Sequence, residues 1–235
     1  MDLFYSRRVE GDRIIFDEEE AQHLIKVMRH QIRDELMVTN GAGKLFHTEI
    51  ISHSKKEVVV NILEVKKDES VPFPQIHIAI APTKTVDRFE WFLEKATEIG
   101  FSEITPIISQ RSERDKIKPD RLNKILIASI KQSFRLWLPR LNEMSKLKEF
   151  VIHHSSFVNQ KFIAHCQSQN LPSLKSLYQP KQSVLLLVGP EGDFTRDEIT
   201  LAEENGFVSV SLSDARLRTE TAGIVALHTI NLLND

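Results

Sequence analysis

The sequence predicts an α/β domain preceded by a small β-barrel, and three observations carry that expectation. Short β-like pieces crowd the first 65 residues, strands alternate with helices from Ile76 onward, and the stretch KKDESVPFPQ at 66–75 separates the two patterns. The first pattern is expected to fill 1–70 and the second 71–235.

Before the linker, 13–16, 35–39, 45–51 and 57–65 read as strands, with Asn40-Gly41 as a tight-turn signal. One helix at 18–31 interrupts them. Leu24, Val27, Met28 and Ile32 make its apolar stripe, and His23, Lys26, Arg29, His30 and Arg33 fall on the other face. After the linker, 76–81 is a strand and 86–99 a helix that turns Phe89, Phe92, Leu93 and Ala96 to the core. Asp87 lies in its first turn and Gly100 is placed to stop it, ahead of a strand at 104–108. A longer helix from Pro119 to about Leu136 directs Leu122, Ile125, Leu126 and Ser129 inward and Arg121, Lys124, Lys131 and Arg135 outward. Pro139 is expected to break it. A further strand is expected at 162–165, and 222–233 is apolar around much of its circumference, as in a helix buried on several sides.

Two motifs near the carboxyl terminus speak about chemistry: Leu187-Val188-Gly189-Pro190-Glu191-Gly192-Asp193-Phe194-Thr195 and Leu217-Arg218-Thr219-Glu220-Thr221-Ala222. The apolar run 184–188 suits a buried parallel strand, and the two glycines after it let the backbone turn and approach a ligand. Thr195 and Glu198 form a capping box that starts a helix, Gly206 ends it, and 208–212 is the next strand. Both motifs would then lie at the carboxyl ends of neighbouring strands, where open α/β sheets bind ligands. Neither Gly-x-Gly-x-x-Gly nor a phosphate-loop signature is present. Glu191 and Asp193 beside the turn would repel a polyphosphate and attract a cation such as a sulfonium. A plain strand-to-helix loop, its glycines serving only the turn, is an equally open reading.

With 41% hydrophobic and 27% charged residues, the 235-residue chain has the composition of an ordinary soluble protein. No apolar run approaches the ~18 residues of a membrane span, and the start lacks a signal-peptide pattern, so a cytoplasmic protein is expected. Cys166, the single cysteine, has no internal disulfide partner and reads as a buried thiol. The net charge of −2 gives no global sign of nucleic-acid binding. Between Arg111 and Arg140, however, nine Lys or Arg stand against three Asp or Glu, enough to neutralise several phosphates or to form a solvated helix face.

The order and spacing of the two motifs resemble those of the SPOUT-class RNA methyltransferases, in particular the RsmE family. The similarity extends to His23-Leu24, Val27 and Arg29, to Lys95-Ala96-Thr97-Glu98-Ile99-Gly100, to Gln110-Arg111-Ser112 and to Gln132-Ser133-Phe134-Arg135. It implies a PUA-like β-barrel followed by a trefoil-knotted SPOUT α/β domain, an obligate homodimer, and S-adenosylmethionine as methyl donor. It also implies methylation of a uracil N3 in 16S ribosomal RNA of the small subunit. Under the resemblance, Leu187, Val188, Gly189 and Gly192 belong to the first cofactor loop, and Leu212, Ser213 and Leu217 to the second. Asp193 stands where the family commonly has Gly, and Ala215-Arg216 replaces a more usual Arg followed by an aliphatic residue.

Methyl transfer to uracil N3 requires that the N3 proton leave and that the negative charge on the base be stabilised. Glu191 or Glu220 is the candidate base and Arg218 the candidate cation. The competing reading makes Glu220 a helix cap and Arg218 one half of a structural ion pair. Lys26, Arg29, Arg33, Arg111, Arg114 and Arg135 are the candidate phosphate contacts, with His23 as a further member or a structural residue. A non-catalytic RNA-binding module would use the same barrel and basic patch. A metal site at His153-His154 or His165-Cys166 is the weakest alternative, since neither spacing converges ligands from one regular face, and no metal is expected.

Overall fold

The computed structural model describes residues 2–54, 56–153 and 159–235. The chain forms two compact units. One holds the chain up to Pro72 together with Ile127–Leu138, the other Phe73–Leu126 together with Pro139–Asp235.

The first unit opens with β1 (Leu3–Tyr5), β2 (Arg8–Glu10), β3 (Arg13–Phe16) and helix α1 (Glu18–Gln22), followed by β4 (Glu35–Thr39), β5 (Lys44–His53) and β6 (Val58–Asp68). They make one sheet in the order β1-β4-β5-β6-β3-β2. The sheet curls because Ser6 links strands far apart in that order: its N–H donates to Thr39 O (3.1 Å) and its Oγ to Ile15 O (2.5 Å). Phe4, Ile14, Phe16, Leu36, Val38, Phe46, Ile50, Val58 and Val60 fill the concave side. Alternation along β3 and β5 places these residues inward, the period expected of a strand with one buried face.

The expected helix at 18–31 is much shorter. After α1 the chain makes a π-helical turn over His23–Val27, and Arg29 then takes a left-handed conformation, φ 61°. The Asp34 carboxylate fixes the turn, accepting from Gln31 N at 2.9 Å and bonding His30 Nδ1 at 3.0 Å. Of the expected apolar stripe only Leu24 is buried, while Val27, Met28 and Ile32 are exposed. A 3.6-residue period cannot persist through a π turn and a left-handed residue.

The second unit adds β7 (Ile76–Ile80), α2 (Val86–Ile99), β8 (Glu103–Ile108), α3 (Pro119–Ser133), β9 (Arg140–Leu141), β10 (Ser145–Lys146), α4 (Leu147–His153) and β11 (Gln160–Ala164). It closes with α5 (Leu174–Leu177), β12 (Val184–Val188), α6 (Arg196–Glu204), β13 (Val208–Val210) and α7 (Thr219–Asn234). All strand pairs are parallel, in the order β10-β8-β7-β12-β11-β13 with β9 beside β8. Every residue of β12 is buried, as its continuous apolar run requires of a strand covered on both faces. One expectation is corrected: β12 and β13 are not neighbours, because β11 lies between them.

Helix α2 buries Phe89, Phe92, Leu93 and Ala96, and Gly100 ends it at φ 112°. It packs on α7, where Gly223 makes the approach possible: a Cβ there would stand 2.5 Å from the Phe92 ring. Burying Phe92 completely is worth ~2–3 kcal/mol, which the glycine makes available. Helix α3, Pro119–Ser133, stops earlier than Pro139 would dictate. Phe134 turns left-handed at φ 56° and Arg135 N reaches Ile130 O at 3.0 Å, closing the last turn. Leu122, Leu126 and Ser129 are buried as expected, but Lys131 is not solvated: it pairs with Glu20 at 2.6 Å. Among the described residues, no helix is long and apolar enough to cross a membrane.

Candidate functional site

The carboxyl ends of β11 and β12, the loop after β13 and the start of α7 enclose a cavity of about 470 Å³. Its wall contains Val188, Gly189, Glu191, Gly192 and Asp193 from the first motif and Leu217, Arg218, Thr219 and Ala222 from the second, with Leu212 and Ser213 between. Thus the two motifs meet although a strand separates β12 from β13. Leu187 differs from the other expected cofactor residues: its side chain is fully buried in the core cluster with Ala79 and Ile163. Strand alternation turns it away from the cavity.

Four ties hold the first loop, each from a different part of the chain. Thr219 Oγ1 donates to Gly189 O at 3.0 Å, and Lys84 N donates to Glu191 Oε1 at 3.0 Å. Arg111 Nη1 donates to Gly192 O at 2.9 Å, and Cys166 N donates to Asp193 Oδ2 at 2.9 Å. Asp193 itself sits at φ 62°, a conformation that aspartate adopts more readily than most residues. Its second oxygen accepts from Phe194 N at 2.8 Å. Its carboxylate is therefore spent on the backbone N–H groups of Cys166 and Phe194 and on the Gln167 side-chain amide, and of the two acids expected to attract a cation, Glu191 is the exposed one. Downstream, Thr195 and Glu198 form the expected capping box, and the other Glu198 oxygen accepts from Gln110 N at 2.7 Å.

Arg218 is exposed at the N-cap of α7, lines the cavity, and makes no ion pair among the described residues. Glu220, two residues on, faces elsewhere. Its side chain is 8% exposed, Oε1 lies 3.9 Å from Arg88 Nε, and buried Oε2 has no hydrogen-bond partner. Helix periodicity explains the split, since Thr219 and Ala222 share the cavity face while Glu220 is rotated about 100° from Thr219.

The six candidate phosphate contacts divide between the two units: Lys26, Arg29, Arg33 and Arg135 belong to the first, Arg111 and Arg114 to the second. Lys26, Arg29 and Arg33 are exposed around the turn that follows α1, not along one helix face. Arg111 is engaged with Gly192 O, and Arg114 donates to Thr83 O at 3.1 Å and Lys84 O at 2.7 Å. Arg135 is half-buried, and desolvation holds its guanidinium below its ordinary pKa, partly offset by Glu69.

The β11 end was not among the expected cofactor residues, yet Ala164, His165 and Cys166 line the cavity. His165 is buried and both its ring nitrogens are engaged: Nδ1 accepts from Gln167 N at 3.2 Å, and Nε2 bonds Ser209 Oγ at 2.9 Å. Since a backbone N–H can only donate, the proton of the neutral ring is on Nε2. Ser209 Oγ in turn donates a hydrogen bond to Glu203 Oε1 at 2.6 Å. Burial pushes the imidazole pKa down, against the opposing charges of Asp193 and Glu203. Cys166 is exposed, not the buried thiol expected, because the strand ends at Ala164. Its thiol pKa is raised, first by partial desolvation and then by Asp193. His154, half of the other weak metal candidate, lies outside the described residues.

A family model described as RNA methyltransferase domain matches residues 69–231, and one described as RNA methyltransferase PUA domain matches 16–63. Ribosomal RNA small subunit methyltransferase E of Mesomycoplasma hyopneumoniae is 31% identical over 86% of this chain and 87% of its own length. The chain belongs to the ribosomal RNA small subunit methyltransferase E family. Its Rickettsia conorii member is 28% identical over 98% of this chain and 94% of its own length. Among solved structures, one from Porphyromonas gingivalis described as a probable rRNA-methyltransferase is 37% identical, with TM-score 0.90 and coverage of 100% and 98% of the two chains. A Legionella pneumophila methyltransferase in complex with the cofactor SAM is 29% identical, with TM-score 0.85 and coverage of 99% and 97%. The family membership identifies the first unit's curled sheet as PUA-like and the parallel sheet as a SPOUT-type methyltransferase fold.

Proposed function

We propose that the protein is an S-adenosylmethionine-dependent methyltransferase acting on N3 of a uridine in 16S ribosomal RNA. The observation that carries this reading is the cavity in which the two motifs meet, joined by the Thr219–Gly189 bond. Its volume of about 470 Å³ lies in the range of small-molecule sites. The glycine loop presents backbone to it, and a Cβ on Gly189 would press on the Phe194 ring at 3.2 Å. Members of the family are named for the small-subunit RNA, and the Legionella relative holds SAM.

When bound, the cofactor supplies a methyl group on a sulfonium centre. Val188, Gly189, Gly192, Leu212, Ser213 and Leu217 would hold it, with Leu187 anchoring the strand beneath. Glu191 is the base that accepts the N3 proton, since it is the exposed carboxylate at the cavity, fixed by Lys84 N. Arg218 faces the negative charge that develops on the uracil oxygens, having no ion-pair partner to leave among the described residues. Glu220 acts through Arg88 and the packing of α7 on α2. For the RNA, Lys26, Arg29 and Arg33 contact phosphates from the PUA-like domain, proposed as 1–70, while 71–235 forms the catalytic domain. Arg111 and Arg114 serve the loops first.

The reading extends to a trefoil knot, supported by the return of the chain from edge strand β13 to Gly189 beside central β12. It also includes a homodimer in the cytoplasm, for which exposed Trp91 on α2 and Leu232 on α7 offer apolar surface. Calorimetry with S-adenosylmethionine, and mass mapping of ribosomal RNA from cells with and without the gene, test the function. Binding and the loss of one methylated uridine are expected. No heat and an unchanged map would leave a non-catalytic RNA-binding module; a methyl lost elsewhere would mean another RNA target.

A further inference from the structure

A second cavity, of about 300 Å³, opens between the starts of α2 and α3. Val86, Phe89, Ile117 and Leu122 supply its apolar lining, and Lys116 and Lys118 stand exposed at its rim. The other charges lining it are already engaged. Arg121 Nη2 donates to Glu90 Oε2 at 2.7 Å, and Arg114 donates to the carbonyls of Thr83 and Lys84. Asp87 contributes to holding Arg121 above its ordinary pKa, after the Glu90 hydrogen bond. With four cations lining the space against Asp87 and Glu90, the surplus corresponds to Lys116 and Lys118. Neither lysine has an ion pair or side-chain hydrogen bond among the described residues, so their charge is available to a ligand.

The cavity is one loop away from the proposed chemistry. Arg114 grips Thr83 and Lys84, and the N–H of Lys84 fixes the Glu191 carboxylate. We propose that this cavity is the subsite for a nucleotide flanking the methylated uridine, which deepens, and rests on, the reading of RNA methylation above. The base enters over the apolar lining, and Lys116 and Lys118 meet its phosphates. Such interactions position a single strand through charge and apolar burial, with little demand on sequence. A strand seated there leaves the neighbouring base on the Glu191 side of the Thr83-Lys84 loop, so occupancy adds binding energy to the same strand without entering the chemical step.

The test uses the full-length protein, small-subunit ribosomal RNA and S-adenosylmethionine. Lys116→Glu/Lys118→Glu changes only exposed side chains. It is expected to raise KM for RNA about 10-fold or more while kcat stays within about twofold, the pattern of weakened uniform binding. The affinity for S-adenosylmethionine by calorimetry should not change, and the salt slope of RNA binding should fall by about 0.7 for each phosphate no longer neutralised. Ile117→Trp, which fills the cavity without altering charge, is expected to raise the same KM. An active double variant with unchanged KM and salt slope overturns the subsite and leaves the methyltransferase reading standing. A wild-type protein that neither binds S-adenosylmethionine nor methylates RNA overturns both.

Discussion

The hydroxyl of Thr219, first residue of α7, donates to the carbonyl of Gly189 at the end of β12 across 3.0 Å. Thr219 is 4% exposed, so no solvent replaces the bond. Thr219→Val keeps the shape and removes the donor, leaving Gly189 O short of a partner. A loss of about 1–3 kcal/mol in folding stability is expected by urea denaturation, with weaker S-adenosylmethionine binding; Thr219→Ser should retain both.

The two candidate bases are separated by direction. Glu191 lines the cavity, whereas Glu220 lies by Arg88. In single-turnover assays Glu191→Gln is expected to slow methyl transfer by about 10²-fold or more. Glu220→Gln should act mainly on thermal stability. Equal loss of rate in a folded Glu220→Gln variant would return that residue to the chemistry.

Arg111 lies against Gly192, whose added Cβ would meet Arg111 Cβ at 3.1 Å, and donates to Gly192 O. A charge-assisted bond of ~1.5–3 kcal/mol corresponds to about 10-fold or more in affinity if the loop must be held for binding. Arg111→Ala should therefore weaken S-adenosylmethionine binding, with partial rescue by Lys and little change in the RNA salt slope. A steep fall in that slope instead would restore Arg111 as a phosphate ligand.

His165 links stability to pH. Burial lowers its folded pKa below the ordinary 6.5, so on acidification the unfolded chain takes up the proton first. The contribution is full above the unfolded value and is lost as pH falls through 6.5 toward the folded value. Melting curves between about pH 7 and pH 5 should show a smaller acid loss in His165→Asn than in wild type.

Gly223→Ala tests the packing of α2 on α7. Alanine gains about 1 kcal/mol in helix propensity over glycine. A Cβ 2.5 Å from the buried Phe92 ring and 3.0 Å from Ile80 forces repacking, at a cost of about 1–3 kcal/mol. A lower melting temperature is expected; a higher one would show that α7 can shift outward freely.

Much of the fold was legible locally. The Phe89, Phe92, Leu93 and Ala96 face of α2, the Gly100 stop, the continuous apolar run of β12 and the Thr195–Glu198 capping box each depend on residues close in sequence. The helix after Asp17 failed as an extended period because a carboxylate further on, Asp34, stabilises the turn that ends it. Glu191, Gly192 and Arg218 were expected together from the two motifs and all three line one cavity, whereas Glu220, expected with them, does not.

By itself, the sequence determined the types of most long elements, the two-part organisation and the glycine loop with its acidic residue, since period, capping and turn chemistry are short-range. Only the tertiary structure decided that β11 separates β12 from β13 and so brings His165 and Cys166 into the wall. It also decided that Arg111 and Arg114 reach carbonyls, and that Glu220 turns toward Arg88 while Thr219 turns toward Gly189. Strand order and side-chain partners are non-local choices: each depends on which distant segment arrives beside a residue, and no period along the chain records that.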